Sequence, residues 1–191
     1  MRFFIVFVAI AGIAAMFTTG CDTASQNPSV EGVIQNAGGL QVILERTELP
    51  NSRKTLGKTE AGADGSFSIP LEKSLEPGLY QLSVGAKRIG FPIDDSPATL
   101  TINGNISTLD RYEAEVSGSP SAVEFAASMQ GLINQTMDAP AALQAVKGSS
   151  NPYYALNLLL TVTQGQIAGQ LPLFKEISTK LAAAHPGSTD A

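Results

Sequence analysis

Few side chains in this chain could do chemistry, and they stand far apart. Cys21 is the only cysteine and His185 the only histidine among 191 residues. A lone thiol can accept a covalent modification, but it forms no internal disulfide and no CxxC redox pair. His185 stands beside Pro186 at the end of a helical stretch, where a cation interacts with a helix C-terminus. As the base of a Ser-His-Asp triad it would need a fixed geometry that a frayed tail does not supply. Transition-metal sites draw on several His, Cys or carboxylate ligands, which this chain does not group together. Asp94, Asp95 and Asp110 could be read as paired carboxylates or a calcium site. Asp94-Asp95-Ser96-Pro97 has the composition of a solvated turn, and that reading is favoured. Gly57-Lys58-Thr59 ends like a phosphate-binding loop, G-x-x-x-x-G-K-S/T, but Ser52 stands where the first glycine belongs. Tyr112, Tyr153 and Tyr154 read as core or interface positions. The expectation is no catalytic residue, no cofactor and no metal, with Cys21 the one residue that has a chemical role.

Cys21 takes its meaning from what precedes it. Arg2 is the only charge in the first twenty residues, an apolar run follows from Phe3 to Phe17, and Gly20 stands directly before the cysteine. A secretory signal has a basic start, an apolar core of roughly 7–15 residues and small residues before the cleavage point. The run is shorter than the roughly 20 residues that span a bilayer. The segment is similar to bacterial lipoprotein signals, in which a small residue precedes an obligatory cysteine. That resemblance implies cleavage between Gly20 and Cys21 and lipidation of the Cys21 thiol. The alternatives are a plain signal peptide or an uncleaved anchor helix with Cys21 incidental. Residues 21–29 are polar and unpatterned, as a tether behind a lipid should be. Eight extended residues reach at most about 28 Å, which keeps the folded part near the membrane. The expected location is the bacterial cell envelope, anchored to the inner or outer membrane with the folded part periplasmic. By an enterobacterial sorting rule, Asp22 would favour the inner membrane.

Composition narrows the partners. The formal charge is −5, and Arg53-Lys54 and Lys87-Arg88 are the only adjacent basic pairs. Nucleic-acid binding relies on clustered basic side chains, so no nucleic-acid partner is expected. With no disulfide the fold rests on its core, for which 43% hydrophobic residues are adequate.

The elements that must position these residues change character near residue 119. Before it, short alternating segments lie between Gly, Pro, Asn and Asp clusters, at residues 30–35, 40–46, 67–69, 79–84, 89–93, 100–102 and 108–116. Residues 47–62 read as a polar connection, and Asp64-Gly65 as a tight turn. About seven strands at this spacing predict an antiparallel β-sandwich. Beyond residue 119 the periodicity is helical. Ser119-Pro120 predicts a helix start, with Ala122, Phe125, Met129, Leu132, Ile133 and Thr136 on one face. Residues 139–146 predict a second helix. Asn151-Pro152 caps a third, apolar nearly all round and therefore buried. A fourth follows from Pro172, with Leu171, Phe174, Ile177 or Ser178, Leu181 and Ala184 as its stripe. The expected class is α+β: signal peptide 1–20, tether 21–29, sandwich 30–119, helical region 120–185 of three to four helices, and tail 186–191.

The order of these pieces resembles a known arrangement. After the leader come V-E-G-V-I-Q-N-A-G-G-L-Q-V-I-L at 30–44, D-G-S-F-S-I at 64–69, L-Y-Q-L at 79–82, L-T-I-N-G-N at 100–105 and V-S-G-S at 116–119. A helical stretch then ends in L-A-A-A-H-P-G-S at 181–188. This is similar to the N-terminal part of membrane-anchored thiol:disulfide interchange lipoproteins of Gram-negative bacteria. There, a β-rich domain of unknown function and a helical connector precede a thioredoxin-like domain. The resemblance covers most of the chain after the leader and includes no CxxC. It implies a stand-alone accessory module, with a protein partner that could be a thioredoxin-like redox protein, or a truncated thiol:disulfide interchange protein. A more general resemblance, through the D-G-x-F turn, is to prealbumin-type sandwiches. A glycan- or small-molecule-binding lipoprotein is the alternative function, its ligand unspecified.

Overall fold

The computed structural model describes residues 27–48 and 52–186. Gly20, Cys21, the rest of the leader, most of the tether and residues 187–191 lie outside the described residues. The class is α+β: eight strands in two four-stranded sheets, followed by four α-helices. The strands are β1 (Ser29–Gln35), β2 (Gln41–Glu48), β3 (Ser52–Glu60), β4 (Ser66–Pro70), β5 (Gly78–Val84), β6 (Lys87–Ile93), β7 (Thr99–Asn105) and β8 (Ala114–Ser117). One sheet has the order β4-β1-β7-β8 and the other β3-β2-β5-β6.

Period-two alternation builds both sheets around one shared core. Val30 and Ile34, Val42 and Leu44, Tyr80 to Val84, Ile89 to Ile93, and Leu100 with Ile102 all contribute to it. At the expected tight turn, Gly65 sits at φ 83° and Asp64 Oδ1 accepts the Ser66 N–H at 3.0 Å.

Three expectations are corrected. The pairing is not antiparallel throughout, because β1 and β7 run parallel. Parallel neighbours need a long crossover, and here the whole second sheet is built between them in sequence. Residues 47–62 are not a connection, because 52–60 form β3. It is an edge strand with Arg53, Lys54 and Lys58 along it, so its polar sequence reflects an edge kept in water. Residues 108–116 are not one strand. A 3-10 turn at Leu109–Arg111 precedes Tyr112, which sits at φ 57°, and only β8 is extended.

The helices are α1 (Pro120–Ile133), α2 (Ala139–Gly148), α3 (Pro152–Val162) and α4 (Leu171–Ala184). Ala122 and Ala126 of α1 join the sheet core. Phe125 joins a second core with Leu79 of β5 and the buried residues of α2, α3 and α4. Outward-facing Leu79 is therefore the seam between sheet and helices. α3 is buried on most sides, as its sequence requires. On α4 the buried stripe is Leu173, Ile177 and Leu181, whereas Leu171 is 47% exposed and Ala184 is exposed. The strict i, i+4, i+8 spacing prevails over the broader expected stripe.

Candidate functional site

The residues with titratable chemistry meet where β6 ends and the helices begin. Asp94 follows β6 directly. Its backbone N–H donates to Ser121 Oγ at 3.1 Å, and that hydroxyl donates to the Pro92 carbonyl at 3.2 Å. Ser119 Oγ donates to Asp95 Oδ1 at 2.7 Å. The first turn of α1 is thus tied to the end of β6.

The Asp94 carboxylate then reaches α3. Oδ1 accepts the Tyr153 N–H at 2.8 Å and Oδ2 accepts the Tyr154 N–H at 3.1 Å. These are two of the orphan donors at a helix N-terminus. Asn151, at the N-cap position, makes no side-chain cap bond, so a carboxylate from a distant strand end caps α3 in its place. The Asp94 side chain is only 9% exposed, which corrects the expectation of a solvated turn. Burial is the largest influence on Asp94 and raises its carboxyl above the ordinary value. The Tyr153 and Tyr154 bonds and the His185 charge pull downward, and Asp95 adds a smaller upward push.

His185 is not a frayed residue. Its N–H closes α4 onto Leu181 O at 2.8 Å, and its ring lies 5.3 Å from that of Tyr153. Nε2 is 3.8 Å from Asp94 Oδ1, beyond hydrogen-bond length, and is buried without a hydrogen-bond partner among the described residues. The joint therefore gathers Asp94, His185, Ser119 and Ser121. Yet the hydroxyls bond to Asp95 and Pro92 rather than to the imidazole, and the carboxylate serves backbone N–H groups. The arrangement clamps three elements together.

The other candidates separate. Asp110 pairs with Lys87 at 2.6 Å, and that contact holds its carboxyl below the ordinary value. It does not join Asp94 and Asp95, and among the described residues no group of three metal-ligating side chains forms. Gly57-Lys58-Thr59 lies in β3, where a Cβ on Gly57 would fall 2.4 Å from Ile69 Cγ2. The glycine lets the two sheets close at that corner. Tyr154 is core, its hydroxyl 3.0 Å from Ser128 Oγ. Tyr112 covers the β6 edge, its hydroxyl accepting the Gly90 N–H at 3.2 Å.

A cleft of about 440 Å³, absent from the sequence reading, opens at the same end of the sheets. One wall is the end of β2 and the start of β3, and the other is residues 70–76. Leu56, Leu71 and Leu75 form its apolar lining. Arg46 pairs with Glu76 at 3.1 Å and donates to the Pro77 carbonyl, and Lys73 also pairs with Glu76. The incoming chain borders this cleft, because the Leu71 N–H donates to the Pro28 carbonyl at 2.7 Å. The sequence signal was the amphipathic run Leu71-Glu72-Lys73-Ser74-Leu75-Glu76 between two strands, too irregular for either period.

Fold and site define a class: an α+β protein of two core-sharing sheets with a helical layer clamped to one flank by a buried carboxylate. No model of a known protein family matches the chain, and comparison with curated proteins gives no match either.

Proposed function

We propose that this chain is a lipid-anchored lipoprotein of the bacterial envelope whose folded part is a non-catalytic binding or accessory module. The folded part is read as a β-sandwich carrying a helical layer, held near the membrane to engage a protein partner. The partner class suggested by the sequence resemblance is a thioredoxin-like redox protein. The observation that carries the reading is the apolar leader ending at Cys21, with a short polar segment running straight into β1. There, Ser29 N donates to Ala98 O at 2.9 Å and Pro28 O accepts from Leu71. Residues 21–28 would then be all the chain that separates the anchor from β1.

Mass spectrometry of the N-terminal peptide tests this, with cells grown with and without an inhibitor of lipoprotein signal peptidase. The expected product starts at a diacylglyceryl-modified Cys21, and the inhibitor leaves the leader attached. A Cys21→Ser chain that still carries lipid would refute it. The processed chain should show no thiol-disulfide exchange of its own, and sustained turnover would refute the accessory role. The cleft favours a second reading, a lipoprotein that binds a small molecule at the end of the sheets.

A further inference from the structure

We infer that the cleft between the β2–β3 end and residues 70–76 takes the headgroup of an aminophospholipid, phosphate and primary ammonium together, from the membrane that anchors the chain. The inference rests on the anchored reading above. Position is the first argument. Leu71, in the cleft wall, bonds to Pro28, and the seven residues from Cys21 to Pro28 extend at most about 25 Å. The cleft is therefore within reach of the headgroup layer whenever Cys21 is lipidated.

Charge is the second argument. Arg46 and Lys73 share the single carboxylate of Glu76 inside the cleft, which leaves that group one positive charge in excess. Lys54, Glu48 and Glu72 also line the cleft, and among the described residues none of these three is in an ion pair, although Glu48 accepts the Ser52 hydroxyl at 3.1 Å. Three cations and three carboxylates thus line the cleft among the described residues, a balance that matches a phosphodiester linked to an ammonium, whereas a purely anionic headgroup would use the cations and leave Glu48 and Glu72 without a cationic partner. A primary ammonium can donate three hydrogen bonds to such carboxylates. A trimethylammonium would instead need open aromatic faces. Among the described residues the one ring at the cleft, Tyr80, is stacked on Phe91 with centroids 6.0 Å apart and donates its hydroxyl to the Glu76 carbonyl. The apolar lining of Leu56, Leu71 and Leu75 suits the glycerol and the first methylenes behind the headgroup.

The test uses the processed full chain in a detergent free of phosphate. It is titrated with dihexanoyl phosphatidylethanolamine below its micelle concentration and followed by amide shifts. Saturable shifts are expected at Lys54, Leu56 and Leu71. The phosphatidylcholine and phosphatidylglycerol analogues should bind about tenfold more weakly, the size of one lost charge-assisted contact. Lys54→Glu and Glu72→Gln should each weaken binding by about that factor, and Lys87→Glu, at the opposite end of the sheets, should leave it unchanged. Absence of saturable shifts, equal binding of the three lipids, or an equal effect of Lys87→Glu overturns the inference. The N-terminal mass decides the anchor separately: a lipidated chain without shifts loses the headgroup site alone, and an unmodified Cys21 removes the anchored reading whatever the shifts.

Discussion

Replacing Asp94 by alanine should do more damage than any other single polar change in the described fold. The substitution removes both acceptors of the Tyr153 and Tyr154 N–H groups at the start of α3. Losing a capping side chain costs about 0.5–2 kcal/mol, and hydrogen bonds to a charged acceptor are worth about 1.5–3 kcal/mol each. Against this, the variant is relieved of holding a carboxylate that is 9% exposed, which offsets part of the loss. The net expectation is a destabilisation of about 2–3 kcal/mol, the upper end of single-cap effects. For a chain of this size that corresponds to a Tm lower by roughly 4–12 °C. Urea unfolding followed by circular dichroism gives the free energy. Hydrogen exchange at the amides of Tyr153 and Tyr154 gives the location, and both should exchange faster than the rest of α3. Asn151→Ala is the control. Local sequence makes Asn151 the cap, but its side chain makes no cap bond, so its removal should stay within about 0.5 kcal/mol. If Asn151→Ala costs as much as Asp94→Ala, the cap is local and the clamp between sheet and helices is refuted.

The pH dependence of Asp94 has a definite sign. Burial raises its folded-state value above the unfolded one, so the folded state binds more protons between the two. The Asp94 contribution to stability therefore falls as pH rises from about 4 upward through the folded value. Stability of the native chain minus that of Asp94→Asn should decline across that window, and a rising difference would mean that the N–H bonds outweigh burial. Gly57→Ala should cost about 1–3 kcal/mol in urea unfolding, because its Cβ would meet Ile69; an unchanged midpoint would show that the corner has slack. Tyr112→Phe leaves the Gly90 N–H without the hydroxyl it donates to. It should cost about 1–2 kcal/mol with faster exchange at Gly90, and unchanged exchange would contradict the edge-cover role.

Much of the fold was legible because burial imposes periodicity. Val42 and Leu44, Tyr80, Leu82 and Val84, and Leu100 with Ile102 alternate since one side of each strand meets the shared core, even in β5, whose other side is largely covered as well. β3 was illegible for the same reason in reverse: apart from Leu56 its side chains are small or charged, so an edge strand reads like a loop. The joint was harder still. Asp94 lies 59 residues from the Tyr153 N–H it accepts, and nothing local separates a carboxylate that caps a distant helix from one in a solvated turn. His185 carried no sign of burial, because its neighbours Ala182 to Ala184 are exposed and its partners come from β6 and α3.

The two ends of the described chain meet at one pole of the fold. Ser29 bonds to Ala98, His185 faces Asp94, and the four residue steps from Asp94 to Ala98 span at most about 14 Å. On the anchored reading, the end of α4 must then sit on the membrane side, and a partner engaged there would be held against the bilayer. The turn after β5, at Gly85 and Ala86, lies a full strand away, about 20 Å at the rise of an extended chain. Once Cys21 is a thioether, a cysteine introduced elsewhere is the only free thiol. Labels at Ala184→Cys and Ala86→Cys, both exposed positions, should therefore report orientation in vesicles carrying headgroup quenchers. Stronger quenching is expected at position 184 than at position 86. Equal quenching would mean that the tether lets the folded part tumble, and neither the cleft nor the end of α4 would then have a fixed relation to the membrane.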